Sequence, residues 1–299
     1  MRAVRRAAMA LVCASAMAAC TIPQTDPVAL PQTTTTPAVP TTAAPKPTTT
    51  AKPKPTTTSK AATKAPVRPV WTVGAHPLPR RADGYGEIQP TPAVLRTRSL
   101  PTTDYLPPPS DGRYHATVSA IPAKVLTRST WQPGCPVAKA DLRYLTMSFR
   151  GFDGRVHTGE MIVNAAVATK VTTVFGQLFD RRFPIEEMRV TTRAELSAPP
   201  TGDGNNTGSF VCRPMVGQTT WSAHAYGLAV DLNPFINPYV NGDLVLPELA
   251  SSYLDRSWVR PGMVRSGDAV VRAFAAQGFA WGGYWTRPKD LQHFTANGH

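Results

Sequence analysis

Residues 21–70 contain 15 Thr and 11 Pro, and no Phe, Trp or Tyr. A segment so poor in large apolar side chains cannot bury enough surface to offset the entropy of ordering it, so disorder is expected. Of the 299 residues, the part whose apolar pattern reads as packed begins near Arg113. Residues 113–299 suffice for one hydrophobic core and are too few for two comfortable domains. Residues 21–112 are therefore read as a Pro/Thr-rich disordered linker, reaching roughly 50–60 Å if flexible. Its second half keeps Trp71, Tyr85 and Tyr105 among many prolines, and the sequence decides neither for nor against their packing on the domain.

Ahead of the linker, Arg2, Arg5 and Arg6 precede an apolar run from Ala7 to Ala19, and the small Ala18 and Ala19 stand before Cys20. This is the layout of a secretory signal over residues 1–20. The run is shorter than the roughly 18 residues that a spanning helix needs. Met17-Ala18-Ala19-Cys20 resembles a bacterial lipoprotein box, with Met where Leu is usual. The resemblance implies lipid on Cys20 and a site at the outer face of the cell membrane; the alternative is ordinary secretion to the cell wall.

The net charge of +13 raises the question of nucleic acid. Three arginines of the signal and six Lys/Arg against Asp26 in residues 21–70 carry +8 of it, leaving +5 for residues 71–299. No Lys/Arg run with interleaved aromatics occurs there, so a nucleic-acid partner is not expected. The basic tail suits an anionic membrane or wall polymer, solubility being the plainer reading.

Cysteine usage fits export. Cys13 leaves with the signal and Cys20 takes the lipid, so Cys135 and Cys212 remain and are expected to pair. Closing that loop of roughly 76 residues contributes about 4.5 kcal/mol in the chain-entropy account.

Leu145–Phe149 and Met161–Val163 pattern as strands. Val167, Val171, Val174, Phe175, Leu178 and Phe179 then fall on one face of a helix running from Asn164 to near Arg182 and stopped by Pro184. Residues 197–209 read as a loop. Gly227–Leu232 reads as a buried strand, Asp268 as the cap of a helix ending at Gly278, and Phe279–Trp285 as a further strand. Strands and helices without regular alternation point to a single small α+β domain.

The stretch Ser222-Ala-His224-Ala-Tyr-Gly227-Leu-Ala229-Val-Asp231 offers an imidazole and a carboxylate, both good zinc ligands. Gly227 allows the bend that brings the two together. A catalytic zinc takes three protein ligands and keeps one position open, and Asp290-Leu-Gln-His293 can supply the third.

These residues resemble the Ser-x-His-x-x-Gly-x-Ala-x-Asp and Asp-x-x-His motifs of the zinc D-alanyl-D-alanine carboxypeptidases and L-alanyl-D-glutamate peptidases. Cys212-Arg213-Pro214, Asp231-Leu232-Asn233-Pro234 and Trp281-Gly282-Gly283-Tyr284-Trp285 extend the likeness over most of residues 130–296. The resemblance implies helices packed on a central antiparallel sheet, with zinc held by His224, Asp231 and His293. It implies Asp290 as the acid/base that moves the proton of a zinc-activated water. Arg213 is the candidate oxyanion cation, with Arg193 second. Ser222 is a candidate for hydrogen-bonding substrate or a ligand, and Trp285 for the cleft wall beside Trp281 and Tyr284. The implied reaction is peptide hydrolysis in peptidoglycan stem peptides. Asp rather than Glu at the acid/base position tilts the reading to an L-alanyl-D-glutamate endopeptidase over a D-alanyl-D-alanine carboxypeptidase. A wall-binding protein that has lost catalysis would be expected to lack one of these four residues, and all four are present.

Overall fold

A computed structural model describes residues 71–215 and 217–298. The expected signal, Cys20 and the linker up to residue 70 lie outside the described residues. The first layer is an antiparallel sheet of β1 (Ala116–Ser119), β2 (Leu142–Arg150) and β3 (Val156–Asn164), in that order. A short helix, α1 (Ala123–Arg128), joins the first two strands' regions. Leu145, Met147 and Phe149 alternate along β2 and are buried together with Met161 and Val163 of β3. α2 (Ala168–Asp180) covers them with Val171, Val174, Phe175, Leu178 and Phe179, the face that the spacing predicts. Burying side chains of this size contributes about 1.5–3 kcal/mol each. The α-helix starts later than expected because the Asn164 side chain accepts from the Ala166 N–H and opens a 3-10 turn over Ala165–Val167.

The chain then passes through a two-residue parallel pair, β4 (Glu187–Met188) and β5 (Asn206–Thr207), the latter inside the expected loop. The remaining strands are β6 (Ala229–Asp231), β7 (Tyr239–Asn241), β8 (Leu244–Leu246), β9 (Ala280–Trp281), β10 (Lys289–Asp290) and β11 (His293–Thr295). β11 lies between β6 and β9, and β7 lies between β8 and β10, all antiparallel. Ahead of β9, α3 (Ala269–Ala276) begins where Asp268 accepts from the Val271 N–H at 2.9 Å, as its position in the sequence predicts.

The α+β class stands, but the single central sheet does not: three small antiparallel sheets share the work. Pro234, Pro238, Pro247 and Pro288 interrupt the second half, and proline has no N–H to give a ladder. The strand expected over Phe279–Trp285 ends at Trp281, where Gly282–Tyr284 form a 3-10 turn.

The expected boundary at residue 113 needs correction. Residues 71–112 cover the domain surface. Leu95 is fully buried in a second apolar cluster with Phe235 and Tyr253, and Trp71, Leu78 and Ile88 pack against it. Arg98 grips Glu186 with two hydrogen bonds at 2.7 and 2.6 Å, and both side chains are buried. Trp71 donates to Asp203 at 2.8 Å. Averaging composition over residues 21–112 hides that the aromatic side chains Trp71, Tyr85 and Tyr105 all fall after residue 70. None of the helices among the described residues is long and apolar enough to cross a membrane.

Candidate active site

The site is built around a reversal of the backbone at Gly227. Ser222 opens a 3-10 turn over Ala223–Tyr226, its hydroxyl accepting from the His224 N–H at 3.3 Å. Gly227 closes that turn at φ +68, and a Cβ there would stand 2.6 Å from the Asn164 backbone nitrogen. Only glycine combines that conformation with that approach. The chain then runs into β6, which ends in Asp231, and the antiparallel register sets Asp231 opposite His293, the first residue of β11. His224, Asp231 and His293, 69 positions apart at the extremes, thus meet through one turn and one strand pair.

Their ligand atoms all lie within 4.8 Å of one another. His224 Nε2 is 3.1 Å from Asp231 Oδ2 and 3.1 Å from His293 Nδ1, and His293 Nδ1 is 3.0 Å from Asp231 Oδ1. His224 Nδ1 lies 2.6 Å from the Ser209 carbonyl. A carbonyl can only accept, so Nδ1 carries the proton and a neutral His224 turns its Nε2 lone pair to the centre. Two imidazoles and a carboxylate aimed at one point are an acceptor set that a cation completes, and an outer hydrogen bond that fixes the tautomer is the usual support of a metal-binding histidine. The donor set therefore fits zinc. Burial pushes the Asp231 carboxyl up, while the facing His224 and His293 imidazoles favour its ionised form and hold it well below the usual carboxylate range.

Asp290, on β10, comes close beneath the turn that follows β9. A Cβ at Gly282 would lie 2.7 Å from the Asp290 carbonyl, so the missing side chain admits this strand. Asp290 Oδ1 is buried and has no hydrogen-bond partner among the described residues. Burial pushes the carboxyl up to about 7; His293 opposes the rise and the Asp231 charge adds to it. A carboxyl poised near neutrality can both take and return a proton.

These residues line a cleft of about 790 Å³. Ser222, Arg213 and Trp285 are in its walls as well, and the Trp285 ring packs 5.4 Å from that of His293. Ser222 faces the cleft while serving as the cap of the His224 turn. Cys135 and Cys212 form the expected disulfide, directly before Arg213 in the chain. The other expected aromatics are placed elsewhere: Trp281 is buried and donates to the Leu291 carbonyl, and Tyr284 is 59 % exposed. Arg193 donates to the Trp131 carbonyl and does not line the cleft. Tyr85, Tyr239, Glu248 and Gln292 line it without having been anticipated. Tyr85 lies in the stretch read as linker, and the other three carry no motif of their own.

A His/Asp/His cluster that could hold a metal ion, in a cleft with a carboxyl raised toward neutrality beside it, is an arrangement compatible with a metal-dependent hydrolase. Residues 216–296 match the family model described as D-alanyl-D-alanine carboxypeptidase. The match takes in His224, Asp231, Asp290 and His293, and it supports the peptidoglycan metallopeptidase family that the two motifs resemble. Arg213, the disulfide and residues 71–112 lie outside it. No curated protein and no solved structure matches the chain.

Proposed function

We propose that this protein is a zinc-dependent peptidase that hydrolyses peptide bonds in the stem peptides of bacterial peptidoglycan. The convergence of His224, Asp231 and His293 within 4.8 Å at the cleft carries the reading. These three residues would hold a zinc ion, which when bound would supply Lewis acidity to a water and to the substrate carbonyl. Asp290 accepts the proton of the attacking water and returns it to the departing amine. The Arg213 guanidinium, on the cleft wall, has donors to spare for an oxygen of the substrate, since among the described residues it bonds only to the Pro214 carbonyl. Trp285 packs on His293 and limits its rotation.

Within this reading, Asp rather than Glu at position 290 favours an L-alanyl-D-glutamate-type endopeptidase. The description of the matching family, together with a cation able to meet a terminal carboxylate, supports D-alanyl-D-alanine carboxypeptidase as the second reading. Mass spectrometry of digested muropeptides separates them: loss of a single terminal D-Ala marks the carboxypeptidase, and release of a whole stem fragment marks the endopeptidase. Intact muropeptides after incubation with the zinc-loaded protein would refute both. We further propose that Cys20 carries lipid and holds the protein at the outer face of the membrane, within reach of the wall.

A further inference from the structure

Glu248 is a buried carboxylate in the cleft that the reaction above does not use. It is 6 % exposed and lines the cleft, and no Lys, Arg or His among the described residues forms an ion pair with it. Its hydrogen-bond partner is the Gly86 N–H, 2.7 Å from Oε1. That bond fastens residues 71–112 to the cleft rim, and it brings Tyr85, the neighbouring residue, into the wall. Fastening a backbone N–H needs one acceptor oxygen, which a neutral glutamine carbonyl would supply equally well. The second oxygen takes no hydrogen bond among the described residues and is not sealed from the cleft. Tyr85 and Arg213 line the same cleft as Glu248.

We infer that Glu248, with Tyr85 in the same cleft wall, forms a subsite for a primary ammonium group of the substrate. The inference rests on the peptidase reading for the identity of the substrate, but not for the chemistry recognised. In a stem peptide the ammonium has two sources, the α-amine of a free N-terminus and the side-chain amine of a diamino acid. When it docks, its N–H groups donate to Glu248 and to the Tyr85 oxygen. The segment of residues 71–112 thereby sets specificity from outside the part of the chain that matches the family.

The test uses the full zinc-loaded protein and three synthetic stem peptides: one with both amines free, one acetylated at the α-amine, and one acetylated at the side-chain amine. Calorimetric binding to wild type is measured alongside kcat and KM. A charge-assisted contact of this kind corresponds to a loss of about tenfold or more in affinity when the recognised amine is acetylated. The peptide that suffers the loss identifies the source. The Glu248→Gln variant should keep its melting temperature within a few degrees, because the Gly86 bond survives, and should bind free and acetylated peptides within about twofold of each other. Equal affinity of wild type for all three peptides overturns the subsite, as does a Glu248→Gln protein that still discriminates tenfold. Amine-dependent binding without cleavage would uphold the subsite and refute the peptidase reading. The wild-type comparison decides the matter even if the variant does not fold.

Discussion

His224 faces the metal position with Nε2 because Nδ1 is committed to the Ser209 carbonyl, while His293 and Asp231 are fixed by strand register. Removing either imidazole takes away a ligand, so His224→Ala and His293→Ala should lose zinc and activity together. Asp290→Asn leaves all three ligands in place. It should bind about one zinc per chain by atomic absorption while hydrolysis falls at least about a hundredfold. An Asp290→Asn protein that arrives without metal would make Asp290 a ligand instead. The pH profile follows from the same carboxyl. Raised to about 7 by burial, it is protonated on the acid side and cannot act as base, so kcat/KM should fall as pH falls. A bound dication favours the ionised form and draws the value down. The acid limb should thus lie between the ordinary carboxylate value of about 4 and about 7. An acid limb above pH 7.5, or none, would contradict that assignment.

At the scale of elements, the ligands depend on the Gly227 reversal between the 3-10 turn and β6. An alanine there must hold φ +68, at about 1–2 kcal/mol, and place its Cβ 2.6 Å from a backbone nitrogen that has little room to move. Gly227→Ala should lower the melting temperature by about 5–10 °C and weaken zinc binding. Gly204→Ala, with nothing within 4 Å of its Cβ, should melt within about 2 °C of wild type and serves as the control. Elements with a strong local signature were legible in the sequence: the Val171–Phe179 face of α2, the Asp268 cap of α3, and the spacing from His224 to Asp231. Much of what was not legible depends on distant partners. The strands after Leu232 are two or three residues long, too short for a local period to mark: β10 pairs with the distant β7, while β7 and β8 form a local hairpin turning at Gly242 that went unread. Glu248 became visible only where Gly86, 162 positions away, donates to it. Asp290 and His293 could be read because a motif joins them, whereas Tyr239 and Gln292 stand in no motif.

For the whole molecule, the boundary that matters lies before Trp71 and not at residue 113. Deleting residues 1–70 should leave the melting temperature within a few degrees. Deleting residues 1–112 removes Leu95 and leaves Glu186 buried without Arg98, a loss of about 3–5 kcal/mol from the broken ion pair alone. That shorter protein should be unfolded or melt at least about 10 °C lower by circular dichroism; equal melting of the two would show that residues 71–112 are dispensable. Anchoring is tested at the other end of the tether. Cys20→Ala should shift the protein from the membrane fraction to the soluble exported fraction, and an unchanged membrane fraction would exclude lipid on Cys20.

The pairing of His293 with Asp231 also governs when the protein becomes competent during its own synthesis. The β1–β2–β3 layer and α2 draw on residues up to Asp180 and can assemble early. β6 bonds to Gly208 on one side and completes its pairing only with β11, the last strand among the described residues, which brings the third candidate ligand in the same step. Any product that stops short of His293 therefore lacks a complete metal site, however much of its core it has formed. On the proposed zinc-peptidase reading, hydrolytic power would arrive with the final strand, and an abandoned fragment of the chain would carry none of it.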